Sequence, residues 1–458
     1  MDKKGNSTAS RDLAYYLHPY TNLKAHQDDG PLVITRGEGV EVFDEDGKAY
    51  IEGMSGLWCT ALGFGEKRLI EAATKAMEKL SFYHGFNGRV SDVSVDLAEK
   101  LISIAPVPMS KVFFANSGSE ANDTVVKLVT YYNNAKGRRL KKKIISREKA
   151  YHGVTVASAS LTGLPANHRD FDLPIAGIMH TDCPYYYREA LPGESEKDFA
   201  TRLANNLENM IREEGPDTVA AFIAEPVMGA GGVITPPATY FDKIQAVLKK
   251  FDILFIADEV ICGFGRTGNL WGSQTYDLKP DMITTAKALS SAYVPISAVL
   301  INDDVYQAMV DESEKIGVFA HGFTYSGHPV ACAVALEAIK IYEERGIVEY
   351  VRDTAGPALQ KGLQSFADHP LVGNVRGVGL VGAIELVKDK ESKAAFDPTQ
   401  GVGPYLVRQC QEQGLIVRAL GDSIAFSPPL VITPSQISEM LEKFSKALDE
   451  TTKWLEET

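Results

Sequence analysis

No stretch of the sequence runs for the roughly 18 uninterrupted apolar residues that could span a bilayer, and the polar opening MDKKGNSTASRD has no apolar signal core. The chain is expected to be soluble, not secreted, cytoplasmic, and without a membrane partner. Cysteine is scarce. The five residues Cys59, Cys183, Cys262, Cys332 and Cys410 form no CxxC pair and no Cys/His cluster at zinc spacing, and their number is odd. A disulfide scaffold is excluded on this count, no metal is expected, and the thiols read as reduced, Cys262 as a buried structural one. Positive charge is in deficit: the formal net charge of −13 argues against nucleic acid or anionic lipid, which draw on surplus Lys and Arg. The one basic run, KGRRLKKK at 136–143, joins a helical stretch to a strand and reads as a solvated loop. Low-complexity segments and repeats of solenoid period are absent, which confines disorder to the ends. Also missing are a phosphate loop ending in Gly-Lys-Ser/Thr and a completed dinucleotide fingerprint, since GAGG at 229–232 falls short of one.

What is present is a globular chain of 458 residues, 45% hydrophobic and 23% charged, long enough for one large core with a smaller appended domain. From Val112 onward, short apolar runs alternate with segments of helical period, the sequence form of βαβ units on a parallel sheet. The runs are VFFA (112–115), KKIIS (142–146), VAAFIA (219–224), ILFIA (253–257), MITTA (282–286) and SAVLI (297–301), several apolar throughout, as strands covered on both faces should be. RLIEAATKAMEKL and TRLANNLENMIREE carry apolar residues at helical spacing and read as crossover helices. After His328-Pro329 come a long helix, a strand-rich stretch (GNVRGVGLVGAIEL, then GLIVRALGDSIAFS) and a last helix with Ile437, Met440, Leu441, Phe444 and Leu448 on one face. These divisions suggest an N-terminal segment at 1–60, a large domain at 61–330 and a small domain at 331–458 that packs with the N-terminal segment.

In a doubly wound sheet, ligands sit beyond the carboxyl ends of the strands. ILFIADEV delivers Asp258 there, MITTAK delivers Lys287 and AAFIAEP delivers Glu225. VFFANSGSE runs into a helix start, where Ser117, Gly118 and Ser119 offer free N–H groups and hydroxyls to an anion, with Glu120 completing a capping box. Lys287 follows an apolar strand among small neighbours, a setting that lowers the pKa of an amine and suits it to Schiff-base formation. Asp258 ends an apolar run, where a carboxylate needs a partner; a pyridinium N–H would be one. Lysine, aspartate and phosphate cradle together point to pyridoxal phosphate.

Six ordered segments carry a family resemblance: FANSGSEAND (114–123), KAYHG (149–153), AEPVMGAGG (224–232), ADEVICGFGRTG (257–268), PDMITTAKALSSAYVPISAV (280–299) and HGFTYSGHPVACA (321–333). The chain resembles class III aminotransferases of fold type I from about Tyr20 to its end. The resemblance implies an α/β fold with a mostly parallel sheet in the large domain and a smaller α+β domain. It implies that Ser117, Gly118 and Ser119 bind the phosphate, and that Tyr151 and Val260 cover the two faces of the pyridine ring. Asp258 would keep the ring nitrogen protonated, Glu225 would lie near the ring oxygen, and Lys287 would hold the cofactor and then serve as general acid and base. Thr324 matches a residue that reaches the phosphate of a neighbouring subunit, which implies a homodimer, or a dimer of dimers, with shared active sites. The family gives His152 no proton-transfer role, so it reads as structural.

Relatives often carry Gln where this chain has Ile261, and Gly where it has Ala292 and Ser297. The first departure points away from ornithine- and 4-aminobutyrate-transaminases and toward the branch that resembles ω-amine:pyruvate transaminases. Tyr20, Trp58 and Phe86 fall where that branch places aromatic pocket walls. Arg418 matches its mobile arginine, which would pair with a keto-acid carboxylate. The expected activity is transfer of an amino group from a primary amine or ω-amino donor to pyruvate. The alternatives are a β-alanine or other ω-amino-acid transaminase, use of 2-oxoglutarate, another reaction on the same cofactor, and a non-catalytic binding relative.

Overall fold

The computed structural model describes residues 6–457. Seven strands build the central sheet: β1 (Lys111–Ala115), β2 (Lys143–Arg147), β3 (Ile178–Thr181), β4 (Val219–Ala224), β5 (Leu254–Asp258), β6 (Met282–Thr285) and β7 (Ser297–Ile301), in the spatial order β1-β7-β6-β5-β4-β2-β3. Six of them fall on the apolar runs of the sequence. The short edge strand β3 was not among those runs, because IMHT is too brief and too mixed to stand out. Neighbours from β6 through β5, β4 and β2 to β3 pair in parallel, whereas β7 is antiparallel to both β1 and β6. A strand antiparallel to two neighbours makes those neighbours run the same way. The carboxyl ends of β1, β4, β5 and β6 therefore open on one edge.

The all-apolar β4 is buried at every position because helices cover both faces of the sheet. Ala221 and Ile223 join a cluster with Val125, Leu128 and Val129 of the helix Gly118–Ala135, while Phe222 and Ala224 join one with Phe199, Leu203 and Ile244 from the helices Glu196–Glu214 and Tyr240–Lys250. Of the two expected crossover helices, Glu196–Glu214 does connect β3 to β4. Lys67–Lys79 precedes the first central strand, so it crosses nothing; it packs on the helix Pro329–Glu344. The basic run is not wholly solvated either, since Lys141 is buried with its amine on the Phe251 carbonyl and Lys143 opens β2.

The C-terminal stretch forms an antiparallel sheet from Val372–Val378, Val381–Leu386, Ser423–Phe426 and Arg418–Leu420. The last helix, Pro434–Glu457, buries Ile437, Met440, Leu441, Phe444 and Leu448 as their spacing requires. N-terminal strands at Ile34–Glu38, Glu41–Asp44 and Ala49–Glu52 form a third sheet, which Leu415–Ile416 completes by pairing Ile51 with Leu415. Arg266, buried beyond β5, donates to the carbonyls of Leu380 and Pro428 and to the Ser55 hydroxyl, so one side chain fastens three distant segments.

Candidate active site

The shared edge of β1, β4, β5 and β6 opens into a cavity of about 520 Å³ lined by Glu225, Asp258 and Lys287 and by Gly118, Ser119, Tyr151 and Val260. Asp258, the last residue of β5, is 3% exposed. Its Oδ2 accepts from His152 Nδ1 at 2.7 Å and from Asn122 Nδ2 at 2.9 Å, and its Oδ1 from the Val260 amide at 3.1 Å. Burial pushes the carboxyl up, but these donors, His152 first, outweigh it and hold Asp258 below the ordinary carboxylate value. An ionised carboxylate is thereby fixed in the wall of a largely apolar cavity.

Lys287 stands just past β6; its carbonyl accepts from the Ser290 and Ala292 amides, and its amine has no hydrogen-bond partner among the described residues. Burial lowers the pKa of its amine, against the pull of Asp258. Its backbone is left-handed, φ 49°, as are those of Trp58 (φ 64°) and Tyr20 (φ 49°). Ala292 is left-handed too (φ 63°), a conformation that glycine adopts at no steric cost.

Glu225 follows β4 and is 3% exposed; its two oxygens accept from the Tyr151 and Gly229 amides, both at 3.2 Å. Burial raises its carboxyl above the ordinary value. The helix after β1 starts at Gly118 with Ser117 as N-cap, whose Oγ takes the Glu120 amide at 3.2 Å. As the first amides of that helix, those of Gly118 and Ser119 have no intrahelical acceptor, and they have none elsewhere among the described residues. Ser119 Oγ takes the Val154 amide at 3.1 Å, which ties the helix start to the Tyr151–Gly153 turn. Gly153 is required there: φ is 135°, and a Cβ would lie 2.4 Å from Ser158 Oγ and 2.5 Å from Ser119 Oγ.

Trp58 belongs to an apolar cluster and lines the cavity as well. Tyr20 closes over the mouth, its ring edge-on to Tyr151 at 6.5 Å and its hydroxyl bonded to Asn167. Arg418, on the edge strand Arg418–Leu420, lines the cavity with no carboxylate partner among the described residues, and burial lowers its pKa. Two residues expected at this site, Ser117 and Phe86, lie outside the lining, as does Thr324, which is expected to serve a neighbouring subunit's site. Ser117 turns its oxygen into the helix cap, outside the lining. Phe86 is 43% exposed and packs on Gly322, whose added Cβ would meet it at 2.6 Å, while Thr324 is exposed nearby. Neither Phe86 nor Thr324 lines the Lys287 cavity.

The sequence reading missed Asn122, His152 as a partner of Asp258, and the lining residues Leu57 and Leu164. Asn122 was within reach of it, because Gly118 and Asn122 lie four apart, on one face of their helix.

Pyridoxal phosphate fits this cavity on its own geometry. Asp258 is a buried carboxylate held ionised, so it can accept from a protonated ring nitrogen. The Gly118 and Ser119 amides at a helix start suit a phosphate, and Lys287 offers an unpaired, desolvated amine. Comparisons agree. The family model "Aminotransferase class-III" matches residues 23–448. "Gamma aminobutyrate transaminase 1, mitochondrial" of Solanum lycopersicum is 58% identical over 442 residues, covering 96% of this chain and 86% of that protein. "Vanillin aminotransferase" of Capsicum annuum is 55% identical, covering 96% of each. The omega transaminase from Pseudomonas jessenii in complex with PMP superposes with a TM-score of 0.97 at 57% identity, covering 98% of this chain and 99% of that one. The chain belongs to the class III aminotransferases of fold type I, and it is a transaminase that depends on pyridoxal phosphate.

Proposed function

We propose that the chain moves an amino group from a primary amine or ω-amino donor to pyruvate, releasing alanine. The observation that carries this reading is Arg418, the one guanidinium in the cavity lining and one without a carboxylate partner among the described residues. Pyruvate brings one carboxylate for it, whereas 2-oxoglutarate brings two. The remaining wall, with Tyr20, Trp58, Tyr151, Leu57 and Leu164, suits an apolar amine.

Pyridoxal phosphate supplies the electron sink for the carbanion formed at the substrate carbon. Gly118 and Ser119 would hold its phosphate at the positive end of their helix, which Ser117 caps. Tyr151 and Val260 would cover the two ring faces, Glu225 would lie near the ring oxygen, and Asp258 would hold the proton on the ring nitrogen, with His152 and Asn122 keeping that carboxylate in place. Lys287 would anchor the cofactor and, once displaced by substrate, carry the proton between the two carbons; its lowered pKa favours the neutral amine that must accept it.

A second reading, an ω-amino-acid transaminase for a donor such as 4-aminobutyrate or β-alanine, has a specific support: relatives named for γ-aminobutyrate reach 58% identity, as near as the ω-transaminase at 57%. A donor panel run against pyruvate and against 2-oxoglutarate tests both readings. Preference for 2-oxoglutarate would overturn the first. Turnover of 4-aminobutyrate far above carboxylate-free amines would select the second.

The homodimer with shared sites is also our proposal, supported by Phe86 and Thr324 both being exposed and outside the lining of the Lys287 cavity. Mixing an inactive Lys287→Ala subunit with an inactive Thr324→Arg subunit should restore activity, since one of the two hybrid sites is intact. No recovery on subunit exchange would contradict it. The division at 1–60, 61–330 and 331–458 is retained as a proposal, supported by the pairing of Ile51 with Leu415. No described helix is long and apolar enough to cross a membrane. Cytoplasmic residence is supported by five free cysteines, although several relatives are named as mitochondrial or chloroplastic; cell fractionation decides it.

A further inference from the structure

Two short helices, Thr8–Tyr15 and Leu23–Asp29, lie at the start of the described chain, and neither buries a single residue. A core does not hold them. What joins them is a polar cluster of Asp12 on the first helix, His18 between the two and His26 on the second. His18 Nε2 lies 2.8 Å from Asp12 Oδ1 and His26 Nε2 lies 2.9 Å from Asp12 Oδ2. The two imidazole centroids are 4.3 Å apart. One ligand atom from each of the three residues lies within 4.8 Å of the other two. In the sequence these residues are spaced by no recognised ligand motif.

We propose that Asp12, His18 and His26 form a divalent transition-metal site, matched best to zinc, which fastens the N-terminal helices over the mouth of the active site. Two imidazole nitrogens and a carboxylate oxygen are the donor set of such an ion, while calcium and magnesium prefer all-oxygen sites. Ligands about 2.0–2.2 Å from a tetrahedral ion stand roughly 3.4 Å apart, so the contacts at 2.8 and 2.9 Å need open by only about half an ångström once the ion replaces the imidazole protons. The side chains keep 25%, 15% and 12% exposure for His18, Asp12 and His26, which leaves room for a water at the fourth position. The chain leaves His18 directly into Pro19 and Tyr20, both in the cavity lining. An ion at His18 thus fixes the segment that presents Tyr20 to the pocket, and this holds whichever donor or acceptor the enzyme prefers.

The test uses untagged, full-length holoenzyme, stripped with a chelator and titrated with zinc sulfate by calorimetry, with hydrogen exchange read over residues 8–29. One zinc per chain should bind, and zinc should slow exchange there; magnesium should do neither. Asp12→Ala, His18→Ala and His26→Ala should each weaken zinc binding by at least about tenfold and remove the protection. None of the three residues belongs to an apolar cluster, so the variants should melt like the parent. Equal zinc affinity in parent and variants would place the ion elsewhere and overturn the proposal. So would a parent dissociation constant weaker than about 0.1 mM, or binding that leaves exchange at 8–29 unchanged.

Discussion

Arg418 is the residue on which acceptor choice turns, and Arg418→Ala isolates it. The guanidinium has no carboxylate partner among the described residues and burial lowers its pKa, so in the free enzyme it is a desolvated charge waiting for an anion. Hydrogen bonds to charged groups are worth about 1.5–3 kcal/mol each. Losing one should reduce kcat/KM for pyruvate by roughly 10- to 150-fold, at 1.4 kcal/mol per tenfold. Arg418→Lys, which keeps the charge but not the planar fork, should fall between. The two half-reactions separate the effect, each followed in single turnover by the cofactor's own absorbance: one with pyruvate, the other with a carboxylate-free amine. The amine half-reaction should change less than about threefold, and thermal stability should hold or rise slightly because no ion pair is broken. Equal losses in both half-reactions would show that Arg418 is structural. Unchanged pyruvate kinetics would show that another group receives the carboxylate.

Four further outcomes follow from the site and its supports. Borohydride should fix the cofactor on Lys287, as located by peptide mass, and Lys287→Ala should abolish turnover; an adduct on another lysine would contradict the assignment. Burial holds the folded-state Lys287 amine below its unfolded value, so between the two the unfolded chain binds more protons and stability rises with pH. In cofactor-free protein, Lys287→Met should therefore raise the melting temperature most at low pH, with the gain shrinking as pH climbs toward about 10.4; a pH-independent gain would refute this. Gly153→Ala, forced into φ 135° with its Cβ 2.4 Å from Ser158 Oγ, should cost about 1–3 kcal/mol at the cofactor cradle and weaken cofactor retention in dialysis at least several-fold. Arg266→Ala leaves the Leu380 and Pro428 carbonyls without their donor and should lower stability by about 3 kcal/mol, read as a lower apparent melting temperature.

The strands were legible because burial on both faces writes itself as unbroken apolar runs, and VAAFIA and SAVLI match β4 and β7 residue for residue. Asp258, Glu225 and Lys287 were legible for the same reason, as polar residues that end such runs. What the sequence could not express is pairing between distant segments. Nothing in Asn122 or His152 announces that both will meet one oxygen of Asp258, since that depends on how the helix after β1 and the turn after β2 approach β5. The antiparallel setting of β7, the clasp made by Arg266 and the Asp12–His18–His26 cluster are likewise products of tertiary approach. Phe86 and Thr324 were identified by resemblance alone, and neither lines the Lys287 cavity in this chain.

The left-handed backbones at Tyr20, Trp58 and Lys287 bear on how such a protein can be redesigned. Each is a position where glycine would relieve the backbone by about 1 kcal/mol, so a procedure that ranks substitutions by stability alone would erase a mouth residue, a pocket wall and the reactive amine. Conversely, a bulky or charged side chain that persists in this conformation at a cavity is a mark of selection for chemistry over folding. Directed evolution of this scaffold toward larger amines should therefore begin from a stabilised core and leave those three backbone conformations in place. The strain there belongs to the positions that present side chains to the substrate, and removing it would free stability by giving up the means of catalysis.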